Sequence, residues 1–347
     1  MLDAVFAIPG DLSLPTGGYG YDRRVLALLG RHGIRAAHLQ LPGTFPDPSA
    51  DDLALTGRLF AAAPQGAVLL VDGLALGVIP PELIRRAGRP LVALVHHPLC
   101  LEAGLTPERA RTLAASEIAV LAEARAVIAT SPTTRQILVD DFAVPASRIT
   151  VAEPGTDPAA RAPPTDASLL LAVGSIVPRK GYDVLVAALG GLPDRLPWRL
   201  TIAGAERDAA TSSSLRWSIA GAGLSERITF AGAVSSSRLD ELYGSAGIFV
   251  MPSLFEGYGM VLGEAMARGL PIVCTTGGAA AETVPDAAAL KVAPGDAVAL
   301  RAAISRLMLD EQLRRRMSDA SWAAGQRLPR WDDTARLVAG ALKGAVQ

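Results

Sequence analysis

Lysine is scarce in this chain: Lys180, Lys291 and Lys343 are the only three among 33 lysines and arginines. Arginine is therefore the background base, and a lysine next to a glycine stands out. Cysteine is scarcer still. Cys100 and Cys274 cannot staple 347 residues, and both border apolar runs, which reads as buried thiols in a reducing compartment. Aromatics make up only 5%. Basic residues balance 34 acidic ones to a net charge of -1, so no basic field points to nucleic acid. The longest apolar run, Ala67 to Ile79, is interrupted by Asp72 and falls short of the ~20 residues that span a bilayer. Met1 to Gly10 carries Asp3 and no Lys or Arg, unlike a signal peptide. These absences lead to the expectation of a soluble, cytoplasmic protein, with peripheral contact at the inner face of a membrane left open. Half the residues are apolar, with 34 Gly and 25 Pro and no sustained heptads, which excludes a disordered tail protein and a coiled coil.

At about 150 residues per domain, the length predicts two domains. Short Val/Ile/Leu runs alternate with longer segments of helical period. In the first half the strand candidates are Val5–Pro9, Arg35–Leu39, Val68–Asp72, Leu91–His96, Ala126–Thr130 and Ile149–Val151. Continuous apolar runs of this kind indicate a parallel sheet covered on both faces. Helices are expected at Tyr21–Arg31, Pro81–Ala87, Pro107–Glu123 and Pro132–Asp141, while loops such as Leu41–Ala50 and His97–Thr106 give little away. A Pro-rich stretch from Glu153 to Pro164 has little to pack a core and reads as a linker. The alternation then restarts with Leu169–Gly174, Leu200–Gly204, Ile228–Gly232, Ile248–Pro252 and Pro271–Thr275. The expected fold is α/β: two tandem Rossmann-like domains facing a cleft, over residues 1–160 and 161–330, with a last helical segment 331–347.

Two motifs in the second half carry chemistry. Gly174-Ser175-Ile176-Val177-Pro178-Arg179-Lys180-Gly181 leaves a strand and precedes a helix. Arg179 offers a fork of donors and Lys180 a point charge, a pair suited to a diphosphate at the sheet's ligand edge; the plainer alternative is a solvated basic turn. Pro252-Ser253-Leu254-Phe255-Glu256-Gly257-Tyr258-Gly259 follows another strand, with a helix starting near Gly259 or Met260. Amides at a helix N-terminus form an anion site, and glycines permit close backbone approach. Glu256 falls in the loop and Glu264 about a turn into the helix, where Leu262, Ala265 and Met266 imply a buried face. A carboxylate beside such a face needs a partner.

Glu256 and Glu264 stand in an E-x7-E arrangement, within Pro-Ser-x-x-Glu-Gly-Tyr-Gly and Glu-Ala-Met-Ala-x-Gly-x-Pro-Ile-Val. This resembles the retaining GT-B glycosyltransferases of family 4 (glycosyl transferases group 1), and the resemblance covers almost the whole chain. Gly204, Phe230-Ala231-Gly232 and Thr276-Gly277-Gly278 with Glu282 fall in the family's order. In the first half Pro15-Thr16-Gly17-Gly18 matches the glycine-rich first loop, His96 the cleft histidine, and Pro154-Gly155-Thr156-Asp157 the interdomain turn. Trp331 and the helix after it resemble the last segment, which crosses back onto the first domain. The resemblance implies that Glu264 binds the ribose of a nucleotide sugar and that Glu256 faces the donor sugar near its anomeric carbon. Arg179 and Lys180 would hold the diphosphate, the backbone near Val234 the base, and Gly259, Met260 and Val261 would present amides to sugar or phosphate. Gly17 and Gly18 would approach the diphosphate from the other domain, and His96 would contact the donor sugar, with acid–base catalysis open to it. Two departures stand out: Ser175 replaces the arginine common after the strand-end glycine, and Pro154-Gly155 replaces Asn-Gly in the interdomain turn.

The implied reaction is retaining transfer of a hexose from a UDP- or GDP-sugar to a saccharide, lipid-linked or small-molecule acceptor. Stabilising the leaving diphosphate falls to preorganised cations and amides. Asp-x-Asp and Cys/His clusters are both missing from the sequence, so neither a metal nor another cofactor is expected. Other readings remain at this stage: a GT-B hydrolase or epimerase of nucleotide sugars, or a catalytically lapsed binding protein. A nicotinamide oxidoreductase lacks its fingerprint, because Pro9-Gly10 leads into Asp11-Leu12-Ser13 rather than Gly-x-Gly-x-x-Gly.

Overall fold

The computed structural model describes residues 1–163 and 166–346. They form two units, Met1–Gly155 together with the segment from Pro329 on, and Thr156–Leu328.

The apolar runs of the first unit become the strands β1 (Leu2–Pro9), β2 (Ile34–Leu41), β3 (Val68–Asp72), β4 (Leu91–Val95), β5 (Ala126–Ala129) and β6 (Ile149–Val151). All pair in parallel, in the order β2-β1-β3-β4-β5-β6. Every residue of β3 and of β4 is buried, as continuous apolar runs between two helical layers require. Between β1 and β3 the strand order reverses, and in open α/β sheets the crevice beyond such a point receives ligands.

The second unit repeats the plan with β7 (Leu169–Val173), β8 (Arg199–Ala203), β9 (Ile228–Gly232), β10 (Ile248–Met251), β11 (Ile272–Thr275) and β12 (Ala289–Val292), again all parallel. Their order, β12-β11-β10-β7-β8-β9, places the reversal between β7 and β10. The expected α/β architecture of two Rossmann-like units is therefore what the chain adopts. The last helix, Trp331–Gly344, belongs to the first unit.

Three features differ from the reading by pattern. Helix Ala50–Ala62, directly after the loop Leu41–Ala50, is started by a capping box in which Ser49 and Asp52 exchange hydrogen bonds. Strand β12 is short and half-buried, so it offers no long apolar run to see. The Pro-rich stretch is not wholly a solvated linker: Pro154, Gly155 and Thr156 are buried. Gly155 explains the first part of this, because a Cβ there would lie 2.2 Å from the Trp331 nitrogen. Pro164, where the stretch ends, lies outside the described residues. Among the described residues, no helix is long and apolar enough to cross a membrane.

Candidate functional site

In the second unit, the turn after β7 and the loop after β10 meet at the reversal point of the sheet. Pro178–Lys180 forms one 3-10 turn, closed by Gly181 in the left-handed region at φ 62°. A Cβ on Gly181 would stand 2.3 Å from the Pro252 carbonyl oxygen, so only glycine lets the two segments touch. Leu254 N–H then donates to the Arg179 carbonyl at 2.7 Å and fixes the register of the contact.

This contact brings Arg179, Lys180 and Glu256 together. Lys180 Nζ donates to Glu256 Oε1 at 2.6 Å, and Arg179 Nη1 lies 3.3 Å from Oε2. Arg179 also donates to the Phe255 carbonyl at 2.8 Å, and Ser253 Oγ donates to Glu256 Oε1 at 2.6 Å. Ser253-x-x-Glu256 is thus a side-chain pair within a loop. Burial works against ionising Glu256, but Lys180, then Arg179, and the hydrogen bonds overcome it and hold its carboxyl at about 2. The basic turn is not solvated, for its side chains are only 16% and 14% exposed.

Glu264 lies on helix Met260–Ala267, one turn in from its cap at Gly259. Met260 and Val261 open that helix. The carboxylate of Glu264 accepts from Tyr243 Oη at 2.7 Å, and Arg268 donates to the Glu264 carbonyl at 3.0 Å while its guanidinium covers the Tyr243 ring at 4.7 Å. Burial raises the Glu264 carboxyl above its ordinary value, with Tyr243 and Arg268 pulling the other way. Val234 lies between β9 and helix Ser236–Ser245, the helix that carries Tyr243, and packs against the same apolar cluster as Tyr243.

The first unit holds the other sequence-predicted residues. Gly17 and Gly18 begin helix Gly17–Leu28, whose cap Thr16 accepts from the Tyr19 amide. Gly18 lies against His96: a Cβ on it would be 3.5 Å from the ring's Cδ2 and Nε2. His96, just past β4, directs Nε2 at two carboxylates, Asp22 Oδ1 at 3.3 Å and Asp72 Oδ2 at 3.4 Å. Asp22 belongs to the helix after β1, and Asp72 ends β3 and caps the next helix through Leu74 N–H at 2.7 Å. Among the described residues these three are the one group whose ligand-type atoms all lie within 4.8 Å. Nε2 is thus within hydrogen-bonding reach of both carboxylates, while Asp22 Oδ2 has no partner among the described residues.

Sequence reasoning passed over Asp22, Asp72, Ser253 and Tyr243. A signal existed for Asp22, which shares the buried helix face with Tyr19 and Val25 at a spacing of three residues. Asp72, the acid at the end of an apolar run, offered another. Tyr243 contacts Glu264 across 21 residues and Ser253 is an ordinary loop serine, so neither announced itself.

Two parallel six-stranded units define the GT-B class. The structure aligns with sucrose-phosphate synthase from Thermosynechococcus elongatus at a TM-score of 0.82 and 23% identity, over 96% of both chains. It aligns with Anabaena HepE, solved in complex with UDP and glucose, at 0.78 and 19%, over 99% of this chain and 100% of that one. Residues 155–322 match the family model for Glycosyl transferases group 1, and residues 20–160 that for Glycosyltransferase Family 4. The chain belongs to the group 1 glycosyl transferases. Relatives include D-inositol 3-phosphate glycosyltransferase of Acidothermus cellulolyticus, 30% identical over 76% of this chain and 63% of that protein. Mannosylfructose-phosphate synthase of Agrobacterium fabrum is 30% identical over 44% of this chain and 38% of its own length. The chain thus spans less than two thirds of these curated relatives.

Proposed function

We propose that the chain is a retaining glycosyltransferase that moves a hexose from a UDP- or GDP-sugar to a saccharide, lipid-linked or small-molecule acceptor without a metal. The observation that carries this reading is the Arg179–Lys180–Glu256 cluster at the reversal point between β7 and β10. Breaking a sugar–phosphate bond leaves negative charge on the diphosphate and positive charge on the sugar ring. Lys180 has three N–H donors and Arg179 five, so both can engage a diphosphate while still holding Glu256. Glu256, kept ionised, supplies the opposite charge for an oxocarbenium-like sugar. Glu264, oriented by Tyr243, suits two neighbouring ribose hydroxyls. Within the second unit, Gly259, Met260 and Val261 supply amides and Val234 the base contact; within the first, His96, Gly17 and Gly18 are the sugar-contact candidates. Family membership and the UDP-bound fold neighbour support a nucleotide-sugar donor. Such donors are cytoplasmic metabolites, which is where we place the protein; a lipid-linked acceptor would bring it to the inner membrane face.

Binding of UDP-, GDP- and ADP-sugars is measured by thermal shift, followed by turnover with acceptor panels in the presence of EDTA. Product anomeric configuration is read by NMR. Transfer with retained configuration, unaffected by EDTA, is expected. Release of free sugar without acceptor would make the protein a hydrolase, and donor binding without turnover would make it a binding protein.

A further inference from the structure

The three-residue group in the first unit has a charge balance of its own. Asp22 is fully buried and Asp72 nearly so, at 0% and 2% exposure, while His96 keeps 23% of its side chain exposed. Two ionised carboxylates against one imidazolium would leave a net negative charge in the interior, a costly arrangement. The geometry offers a remedy. Asp22 and Asp72 meet the same His96 nitrogen, and Asp22 Oδ2 has no partner among the described residues. Asp72 alone has the backbone amide of Leu74 to stabilise a carboxylate, at 2.7 Å.

We propose that Asp22 and Asp72 are positioning residues that share two protons with His96: Asp22 stays a neutral acid, Asp72 a carboxylate, and His96 an imidazolium held at the ligand edge of the sheet. The cluster then carries no net charge. Burial, followed by the Asp72 charge, drives the Asp22 carboxyl up to about 8. Burial opposes the charged form of His96, but its hydrogen bonds to Asp22 and Asp72 and the negative charge of the carboxyl pair prevail and bring it to about 10. Two neutral groups also meet His96: the Tyr21 ring approaches it edge-on at 5.2 Å, and Thr130 Oγ1 donates to its carbonyl at 3.0 Å. With Nε2 turned inward, Nδ1–H is the donor left for a bound ligand, and it belongs to a cation rather than a neutral ring. The site therefore favours an anionic or strongly accepting oxygen on the substrate. This consequence rests on the transferase reading; the protonation pattern does not.

The test is 15N NMR of histidine-labelled full-length protein, with His96 assigned by the loss of its signals in His96→Gln. In the wild type, both His96 nitrogens are expected to stay protonated through pH 8. Asp22→Asn, which keeps a neutral group at that position, is expected to preserve the imidazolium signature. Asp72→Asn, which removes the carboxylate, should bring His96 to a neutral single tautomer at pH 8. A second measurement is the pH profile of kcat/KM for the donor: Asp72→Asn should lose activity progressively above pH 7, where the wild type does not. A neutral wild-type His96 at pH 8, or identical behaviour of the two Asn variants, overturns the proposal. Stoichiometric zinc or manganese remaining after exhaustive dialysis would overturn it too. Correct NMR signatures with no sugar transfer would instead sink the transferase reading alone.

Discussion

Lys180 and Glu256 depend on each other, so their substitutions should fail in different ways. In Lys180→Ala, Glu256 keeps Arg179 at 3.3 Å and Ser253 at 2.6 Å, so the fold should survive. Transfer should drop by about 10²–10³-fold, the usual effect of deleting one preorganised donor to a developing anion. Circular dichroism with donor-saturated kcat checks both halves, and turnover near the wild-type level would refute the diphosphate role. Glu256→Gln removes the negative centre between two cations. Its folded carboxyl lies at about 2, below the ordinary 4.5. A depressed acid contributes stability that is full above about pH 4.5 and fades as pH falls towards 2. At neutral pH the Gln variant should be less stable by on the order of 3 kcal/mol, and the gap to wild type should close in that acid window. Urea titrations of both proteins at pH 7 and pH 3 decide it; an unchanged gap would count against the buried ion pair. These residues were legible because one of only three lysines sits beside a glycine at a strand end, and because E-x7-E is a spacing. That Lys180 and Glu256 bond to each other was not legible, since 76 residues separate them and nothing local encodes a contact between two loops.

Elements show the same division between local pattern and long-range contact. Strands β3, β6 and β9 have the limits that apolar runs alone predict, although only β3 is buried along its whole length. Helix Ala50–Ala62 escaped because only Thr56 and Phe60 on it are buried, which leaves little apolar period. Its Ser49-x-x-Asp52 cap was the visible clue. The turn Pro178–Lys180 carries the strictest requirement, since Gly181 combines φ 62° with an approach that any Cβ would violate at 2.3 Å. Gly181→Ala should therefore displace the turn from the Pro252 carbonyl and cost about 1–3 kcal/mol for the backbone alone. It should lower both the thermal midpoint and donor affinity. An unshifted midpoint would mean that the two segments do not depend on this contact.

At the scale of the whole molecule, the chain leaves its first unit at Gly155 and re-enters it at Pro329. The two-domain length was readable, and so was the returning segment, because Trp331 begins a helix in the family's order. What the returning helix grips could not be read. Trp331, Thr334, Ala335, Val338, Ala339, Ala341 and Leu342 are buried along helix Trp331–Gly344. Trp331 meets Tyr21 edge-on at 5.9 Å, and Thr334 Oγ1 donates to the Glu153 carbonyl at 2.7 Å. Burying one large apolar side chain is worth about 1.5–3 kcal/mol, so losing Trp331, Val338 and Leu342 together approaches a domain's entire stability of about 5–15 kcal/mol. A chain ending at Leu328 should therefore unfold its first unit selectively. Under hydrogen exchange, β1–β6 should lose protection while β7–β12 keep theirs, and uniform protection would show the helix to be dispensable. Arg179, Lys180 and Glu264 all lie within Thr156–Leu328. The same truncated chain should thus still shift its remaining melting transition with UDP or GDP while transferring no sugar, so donor recognition and transfer separate at a single chain end.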